Sequence, residues 1–223
     1  MFHLYLKKQV NAMNNIKLIC FDLDETLISN GSWKGLGLAL GISVEDDRRL
    51  YNEYKSGQIT YDEWNDKILE YYLKHEDSNR EGITKILSNY SYIEGAKEAV
   101  DYLKSKGYKL VLISGSIDIL VNMVALDLGI QYSKANNTFV FDGYNKLIGI
   151  HSGGDDVLAK AAHLESFCEM FGIDVKDCAC IADGANDIEM FRLTEHGITF
   201  SGSPIENEAW KVIDSFKDLK NIL

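Results

Sequence analysis

The chain has 223 residues, of which 34 are acidic and 23 basic, giving a net charge of −11. A composition of 46% hydrophobic and 26% charged residues is that of an ordinary folded protein and excludes a disordered one. So negative a surface repels nucleic acid and anionic lipid, and we expect neither as a partner. The length suits one core domain that carries a smaller insert.

Three features of the sequence indicate the cellular compartment: the N-terminus, the apolar runs and the cysteines. Residues 1–8 lack an apolar stretch after a basic start, so they do not form a secretory signal, and Met13 could be the natural start. Residues 1–12 would then be a loosely attached extension. No apolar run reaches the roughly 20 residues that span a bilayer. The cysteines lack CxxC spacing and are predicted to be structural: Cys20, Cys168, Cys178 and Cys180. We therefore expect a cytoplasmic protein.

Three short apolar runs predict strands. They are residues 16–21, 108–113 and 178–182, and continuous runs of this length suit strands buried on both faces of a parallel sheet. Helical patterns lie between them, and each ends at a glycine. We place these helices from Ala96 to Gly107, from about Ile117 to Leu128 and from about Val157 to Phe171. Alternating strands and helices predict an α/β fold with a Rossmann-like open parallel sheet.

Residues 32 to about 90 break this alternation. They contain no strand-like run but several pairs that mark helix starts: Thr60 with Glu63, Ser78 with Glu81 and, more weakly, Ser43 with Asp46. We therefore predict a small all-helical cap at 32–90, inserted after the first strand, with 1–31 and 91–223 forming the core. Further on, Asp142-Gly143 between two apolar runs predicts a β-hairpin over 138–150.

Polar residues follow each predicted strand, at the edge where ligands bind in open α/β sheets. The first is followed by Asp22-Leu23-Asp24-Glu25-Thr26, the second by Ser114-Gly115-Ser116, and the third by Asp183-Gly184-Ala185-Asn186-Asp187. Oxygen ligands of this kind suit Mg²⁺. Ser114 and Gly115 beside a helix start offer a hydroxyl and N–H groups to phosphate, although Ser116 could equally be a plain helix cap. Lys160, taken alone, would be a solvated helical lysine.

Together these motifs resemble a known family. D-L-D-E-T-L, S-G-S, a lysine at a helix start and A-D-G-A-N-D-I-E-M-F follow one another in the order found in the haloacid dehalogenase superfamily of phosphohydrolases. The last motif is most similar to its phosphoserine phosphatase branch. The resemblance covers roughly residues 16–31 and 92–200, and the helical insert is similar to the cap of that branch.

The resemblance implies a Mg²⁺-dependent phosphatase that acts on a small phosphorylated metabolite. Asp22 would be the nucleophile and form an aspartyl phosphate, and Asp24 would protonate the leaving group and then activate water. Lys160 would neutralise charge on the phosphate. The remaining roles fall into two groups. Metal ligands would be Asp22, the backbone carbonyl of Asp24, Asp183 and Asp187, and phosphate or substrate contacts would come from Ser114, Gly115 and Asn186.

One position departs from the family pattern. Phosphoserine phosphatases carry a glutamate nine residues after the nucleophile that recognises the substrate amine, and Gly31 stands there in this chain. Arg48 and Arg49 are the candidates in the cap for binding a substrate carboxylate, and neither is clearly placed to do so. We therefore expect phosphoserine to be at best a middling substrate. Three aromatic residues of the cap could face the pocket or form its core: Trp33, Tyr61 and Trp64.

Other kinds of site do not fit the sequence. A calcium loop starting at Asp22 fails because Leu27 stands where glycine is needed. Walker-type and G-x-S-x-G motifs are absent from the sequence. Three alternatives stay open: phosphoserine phosphatase proper, a phosphotransferase or mutase of the same fold, and a non-enzymatic receiver-like module phosphorylated on aspartate.

Overall fold

The computed structural model describes residues 16–29 and 32–223. Its centre is a seven-stranded sheet in the order β6-β5-β4-β1-β7-β8-β9, and β2 and β3 form a separate antiparallel pair. In the large sheet all neighbours are parallel except β5 and β6. The strands are β1 (Leu18–Phe21), β2 (Ile28–Ser29), β3 (Ser91–Tyr92), β4 (Lys109–Ile117), β5 (Tyr132–Phe141), β6 (Leu147–Ser152), β7 (Cys178–Ile181), β8 (Gly197–Phe200) and β9 (Lys211–Ile213).

The predicted apolar runs form the middle of this sheet. β1 lies between β4 and β7, and every residue of β1 and β7 is buried. Two separate apolar clusters cover the two faces, which explains why these strands are continuously apolar rather than alternating. The four cysteines are buried and free, as predicted.

The core helices also follow the prediction closely. The three that were predicted are α5 (Ala96–Ser105), α6 (Asp118–Asp127) and α7 (Asp156–Phe171), and a fourth, α8 (Ile188–Thr194), was not predicted. The first three are followed by Gly107, Gly129 and Gly172, all with positive φ, a backbone conformation that favours glycine at helix ends. No helix in the described part of the chain has the length and apolar character needed to cross a membrane.

Four helices follow β2 and form the predicted insert: α1 (Ser32–Ala39), α2 (Val44–Lys55), α3 (Tyr61–Tyr72) and α4 (Arg80–Leu87). Thr60 and Glu63 form a complete capping box at α3, and Ser43 caps α2 through the N–H of Asp46. The capping box predicted for Ser78 is wrong. Asn79 caps α4 instead, and Ser78 Oγ is buried without a hydrogen-bond partner.

The fold class is confirmed: an α/β core with a parallel sheet and a helical insert after the first strand. The predicted hairpin is β5 and β6, an antiparallel pair at the edge of the sheet. The core and cap boundaries at 31/32 and 90/91 stay a prediction. The expectations for residues 1–12 and for Gly31 lie outside the described residues.

Candidate active site

Three carboxylates meet at the carboxyl edge of the sheet. Asp22 follows β1 and Asp183 lies two residues after β7, and these strands are parallel neighbours, so their ends lie side by side. Asp187 closes the short 3-10 turn Ala185–Asp187 and accepts the N–H of Gly184 over 3.2 Å. One carboxylate oxygen from each of Asp22, Asp183 and Asp187 lies within 4.8 Å of the other two. The structure thus brings together the three side chains that the sequence analysis grouped.

Lys160 is the positive charge of this cluster. It lies in the second turn of α7, and its Nζ is 2.6 Å from Asp22 Oδ1 and 2.7 Å from Asp187 Oδ1. Its side chain is 1% exposed, so the solvated lysine expected from a helical position taken alone is wrong. Burial by itself would lower the pKa of Lys160, but the two carboxylates outweigh it and hold the pKa above its usual value.

One lysine does not balance three carboxylates, of which Asp22 and Asp187 are buried and Asp183 is half-buried. Burial, with Asp22 nearby, raises the pKa of Asp183 to about 6. Burial raises the pKa of Asp187 to about 7 even though Lys160 opposes the change. A second cation would relieve this repulsion, and an all-oxygen donor set without histidine or cysteine suits a hard divalent ion such as Mg²⁺. The residues present therefore fit a divalent metal ion.

Asp24 points away from this cluster and toward the insert. Its Oδ1 accepts the N–H of Ser32 over 2.9 Å and its Oδ2 accepts the Ser32 hydroxyl over 2.8 Å. Burial and the charge of Asp22 raise the pKa of Asp24 to about 6, against the opposing effect of Ser32. A carboxyl group with a pKa near neutrality can both donate and accept a proton under working conditions.

The Ser114-Gly115-Ser116 segment differs from the prediction in its local structure. β4 runs on to Ile117 with a register shift after Ser114, so the segment lies inside an irregular strand end rather than after it. The residue that immediately precedes α6 is Ile117, and its side chain makes no capping hydrogen bond. The cap predicted for Ser116 is therefore wrong. The Ser116 hydroxyl instead contacts that of Ser32 at 2.5 Å. The Ser116 N–H donates to Ser114 Oγ over 3.0 Å.

Gly115 must be glycine for steric reasons. A methyl group there would lie 2.5 Å from Oδ2 of Asp156, the half-buried first residue of α7. Asn186, predicted to contact substrate, is half-buried, with its Oδ1 packed against Gly184.

Two residues that support Asp183 were not predicted as part of the site. Thr26 donates its hydroxyl to Asp183 Oδ1 over 3.0 Å, and Ser203 donates to the backbone carbonyl of Asp183 over 2.8 Å. Thr26 stood inside the first motif and could have been found there. Ser203 lies 20 residues after Asp183 and outside the motifs, so the sequence did not point to it.

A family model for haloacid dehalogenase-like hydrolases matches residues 16–193, most of the chain. The chain belongs to this family. It is 33% identical over 210 residues to a phosphoserine phosphatase of Methanocaldococcus jannaschii, covering 93% of this chain and 96% of that protein. It is 30% identical over 196 residues to a phosphoserine phosphatase of Streptococcus thermophilus, covering 86% and 88%.

Solved structures agree with these relatives. A phospho-aspartyl intermediate analogue of phosphoserine phosphatase superposes with a TM-score of 0.77 at 30% identity, covering 94% of this chain and 100% of that one. A substrate-bound phosphoserine phosphatase complex superposes with a TM-score of 0.76 at 29% identity, covering 93% and 99%. Family and relatives together make this chain a phosphatase.

Proposed function

We propose that this phosphatase hydrolyses small phosphomonoesters with Mg²⁺, by transferring the phosphoryl group first to Asp22 and then to water. The observation that carries the proposal is the buried contact of Lys160 with Asp22 at 2.6 Å, next to Asp183 and Asp187. A carboxylate and a phosphate dianion repel each other, so nucleophilic attack needs buried positive charge at this point.

The residues would divide the work as follows. A carboxylate oxygen of Asp22 attacks phosphorus, and the P–O bond to the leaving alcohol breaks. Asp24 gives its proton to the alcohol oxygen and later takes one from the water that cleaves the aspartyl phosphate. Lys160, the Ser114 hydroxyl and the Gly115 N–H hold the other phosphate oxygens, and Asn186 contacts the substrate.

Asp22, Asp183, Asp187 and the backbone carbonyl of Asp24 would hold the metal ion. When bound, Mg²⁺ supplies charge neutralisation at the phosphate. Thr26 keeps Asp183 in place through its 3.0 Å hydrogen bond. The raised pKa values of Asp183 and Asp187 support this assignment, because burial and neighbouring carboxylates raise them and Lys160 offsets the effect only in part.

The cap favours a small substrate. Asp22 is 4% exposed and Asp187 is fully buried, so a substrate must be enclosed between cap and core. The cap contacts the core through polar pairs such as Tyr54 with Asp155 at 2.8 Å and Asp62 with Ser152 at 2.6 Å. We take the cap as a lid that opens to admit substrate and closes to exclude water. Phosphoproteins and nucleic acids would not fit beneath it, and a cytoplasmic location suits such a substrate.

Phosphoserine is the second candidate substrate, supported by the names of the relatives. The arginines of the cap favour a substrate without a carboxylate. Arg49 pairs with Asp46 and Glu53 on the surface, Arg48 is exposed, and Arg80 stacks on the Phe141 ring at 4.2 Å. A phosphotransferase or mutase would use the same first step. Repeated release of inorganic phosphate distinguishes a phosphatase from such an enzyme and from a receiver-like module.

The test is a screen of small phosphomonoesters, including phosphoserine, glycerol phosphate and p-nitrophenyl phosphate, with Mg²⁺ and with EDTA. Asp22→Asn serves as the blank because the amide is nearly isosteric. We expect repeated release of inorganic phosphate with Mg²⁺, and none with EDTA or Asp22→Asn. Full activity in excess EDTA, or in Asp22→Asn free of deamidation, would disprove the proposal. A kcat/KM for phosphoserine far above all other esters would favour the second candidate.

A further inference from the structure

A buried series of hydrogen bonds leads from Asn137 to the Ser114 hydroxyl. Asn137 lies in β5 with 0% exposure, and its Nδ2 donates to the backbone oxygen of Gly115 over 2.8 Å. The same oxygen accepts the indole N–H of Trp33, from cap helix α1, over 3.2 Å. A carbonyl oxygen has two lone pairs, so these two donors saturate the Gly115 carbonyl and fix its direction.

The series continues through the next peptide group. The Gly115 carbonyl and the Ser116 N–H belong to one planar peptide unit, so fixing the oxygen also fixes the N–H, which donates to Ser114 Oγ over 3.0 Å. Because Ser114 Oγ accepts this bond, its own proton is directed elsewhere. Among residues 16–29 and 32–223, no hydrogen-bond acceptor takes that proton. The hydroxyl is thus left as a donor at the strand end.

We propose that Asn137 is a positioning residue of the phosphate site, acting through the Gly115 carbonyl on the Ser114 hydroxyl. The inference rests on the proposed function, in which Ser114 and Gly115 hold phosphate oxygens. Hydrogen bonds in series polarise one another in a buried site. The Asn137 amide therefore strengthens the Ser114 hydroxyl as a donor and keeps the Gly115 peptide in the orientation that phosphate requires.

Asn137 also contacts the cap, and this second role must be separated from the first. Its Oδ1 accepts Nδ2 of Asn65 over 3.1 Å, and its Nδ2 lies 2.9 Å from the Tyr61 hydroxyl. Tyr61 in turn donates to Asp156 over 3.0 Å. Asn65 is as deeply buried as Asn137, at 2% exposure, and it reaches the Gly115 carbonyl only through Asn137. Asn65→Leu is therefore a matched control that loosens the cap contact and spares the Gly115 carbonyl.

The experiment measures the inhibition constant of inorganic phosphate against p-nitrophenyl phosphate with Mg²⁺, together with the melting temperature of each variant. Asn137→Leu should raise the phosphate inhibition constant about tenfold, because a buried carbonyl loses a donor. Trp33→Phe removes the longer bond to the same oxygen and should raise the constant about threefold. Asn65→Leu removes one hydrogen bond where Asn137→Leu removes three, so it should lower the melting temperature less, and it should leave the constant within about twofold of wild type.

An unchanged inhibition constant in Asn137→Leu would overturn the inference, and so would an equal rise in Asn65→Leu, since cap packing would then explain both. Should Asn137→Leu fail to fold, Trp33→Phe decides, and an unchanged constant there overturns the inference. Ser114→Ala separates this inference from the function beneath it. If Ser114→Ala leaves phosphate inhibition unchanged, phosphate is not held at this strand end and the proposed function fails at that point.

Discussion

Replacing Lys160 by methionine tests the electrostatics of the site in the metal-free protein. Methionine keeps the length of the side chain and removes the charge, so Asp22, Asp183 and Asp187 lose their buried counter-ion. Lys160 and its two partners, Asp22 and Asp187, are at most 6% exposed. Breaking a buried ion pair from one side costs about 3–5 kcal/mol. For a chain of this size, that corresponds to a fall of roughly 6–20 °C in melting temperature.

The assay is thermal unfolding in EDTA, followed by circular dichroism at pH 7.5 and at pH 5. The loss should be smaller at pH 5, because Asp187 and Asp183, with pKa values of about 7 and 6, are then mostly protonated. Lys17→Met is the control, since Lys17 pairs with Asp177 at 2.5 Å but its side chain is 55% exposed. Exposed pairs contribute at most about 1 kcal/mol. If Lys160→Met lowers the melting temperature no more than Lys17→Met at pH 7.5, the buried cluster is not as described.

Three further predictions concern metal, cap and substrate. The pKa of Asp187 is raised in the folded state, so the folded protein binds more protons than the unfolded one. Without metal, the free energy of unfolding should therefore fall as the pH rises from about 5 to 7.5. Mg²⁺ should reverse this fall. Urea unfolding measures this, and an equally steep fall in Asp187→Asn would contradict it. Thr60→Ala breaks the capping box of α3 and should lower the free energy of unfolding by about 1 kcal/mol. Thr84→Ala is the control and should lower it less, because the Thr84 hydroxyl bonds within its own helix. Equal losses by urea unfolding would refute the capping role. Gly31→Glu should raise kcat/KM for phosphoserine relative to glycerol phosphate about tenfold, and an unchanged ratio would show that position 31 does not select the substrate.

The sequence predicted most of the sheet because its central strands are buried on both faces. Such strands are continuous apolar runs that no surface pattern imitates, and the glycines after α5, α6 and α7 marked the helix ends. The failures were local. The end of β4 was misplaced because Ser114-Gly115-Ser116 is typical of a helix start, whereas a register shift keeps it within the strand. Ser78 was preferred to Asn79 as a cap because both neighbouring residues can cap a helix.

The sequence predicted the site residues that belong to motifs and missed those that reach the site only through tertiary contacts. Two neighbouring strands, β1 and β7, lead to Asp22 and Asp183, and the turn after β7 contains Asp187. The order of the strands in the sheet therefore brings the three carboxylates together. The burial of Lys160 could not be derived from helical spacing, and the resemblance to a family supplied its role. Asn137 and Ser32 reach the site from a neighbouring strand and from the insert. No local pattern marks a polar side chain that acts through a backbone carbonyl or another side chain.

Trapping the phosphorylated enzyme tests the central claim most directly. Wild-type protein with Mg²⁺ is mixed with a phosphomonoester carrying labelled phosphate, quenched in acid within the first turnover and digested for mass spectrometry. We expect one labelled phosphoryl group on the peptide that contains Asp22, lost on treatment with hydroxylamine as an acyl phosphate should be, and no label in Asp22→Asn. A label on any other residue, or steady release of phosphate without any labelled enzyme at the earliest times, would contradict the assignment of Asp22 as the nucleophile.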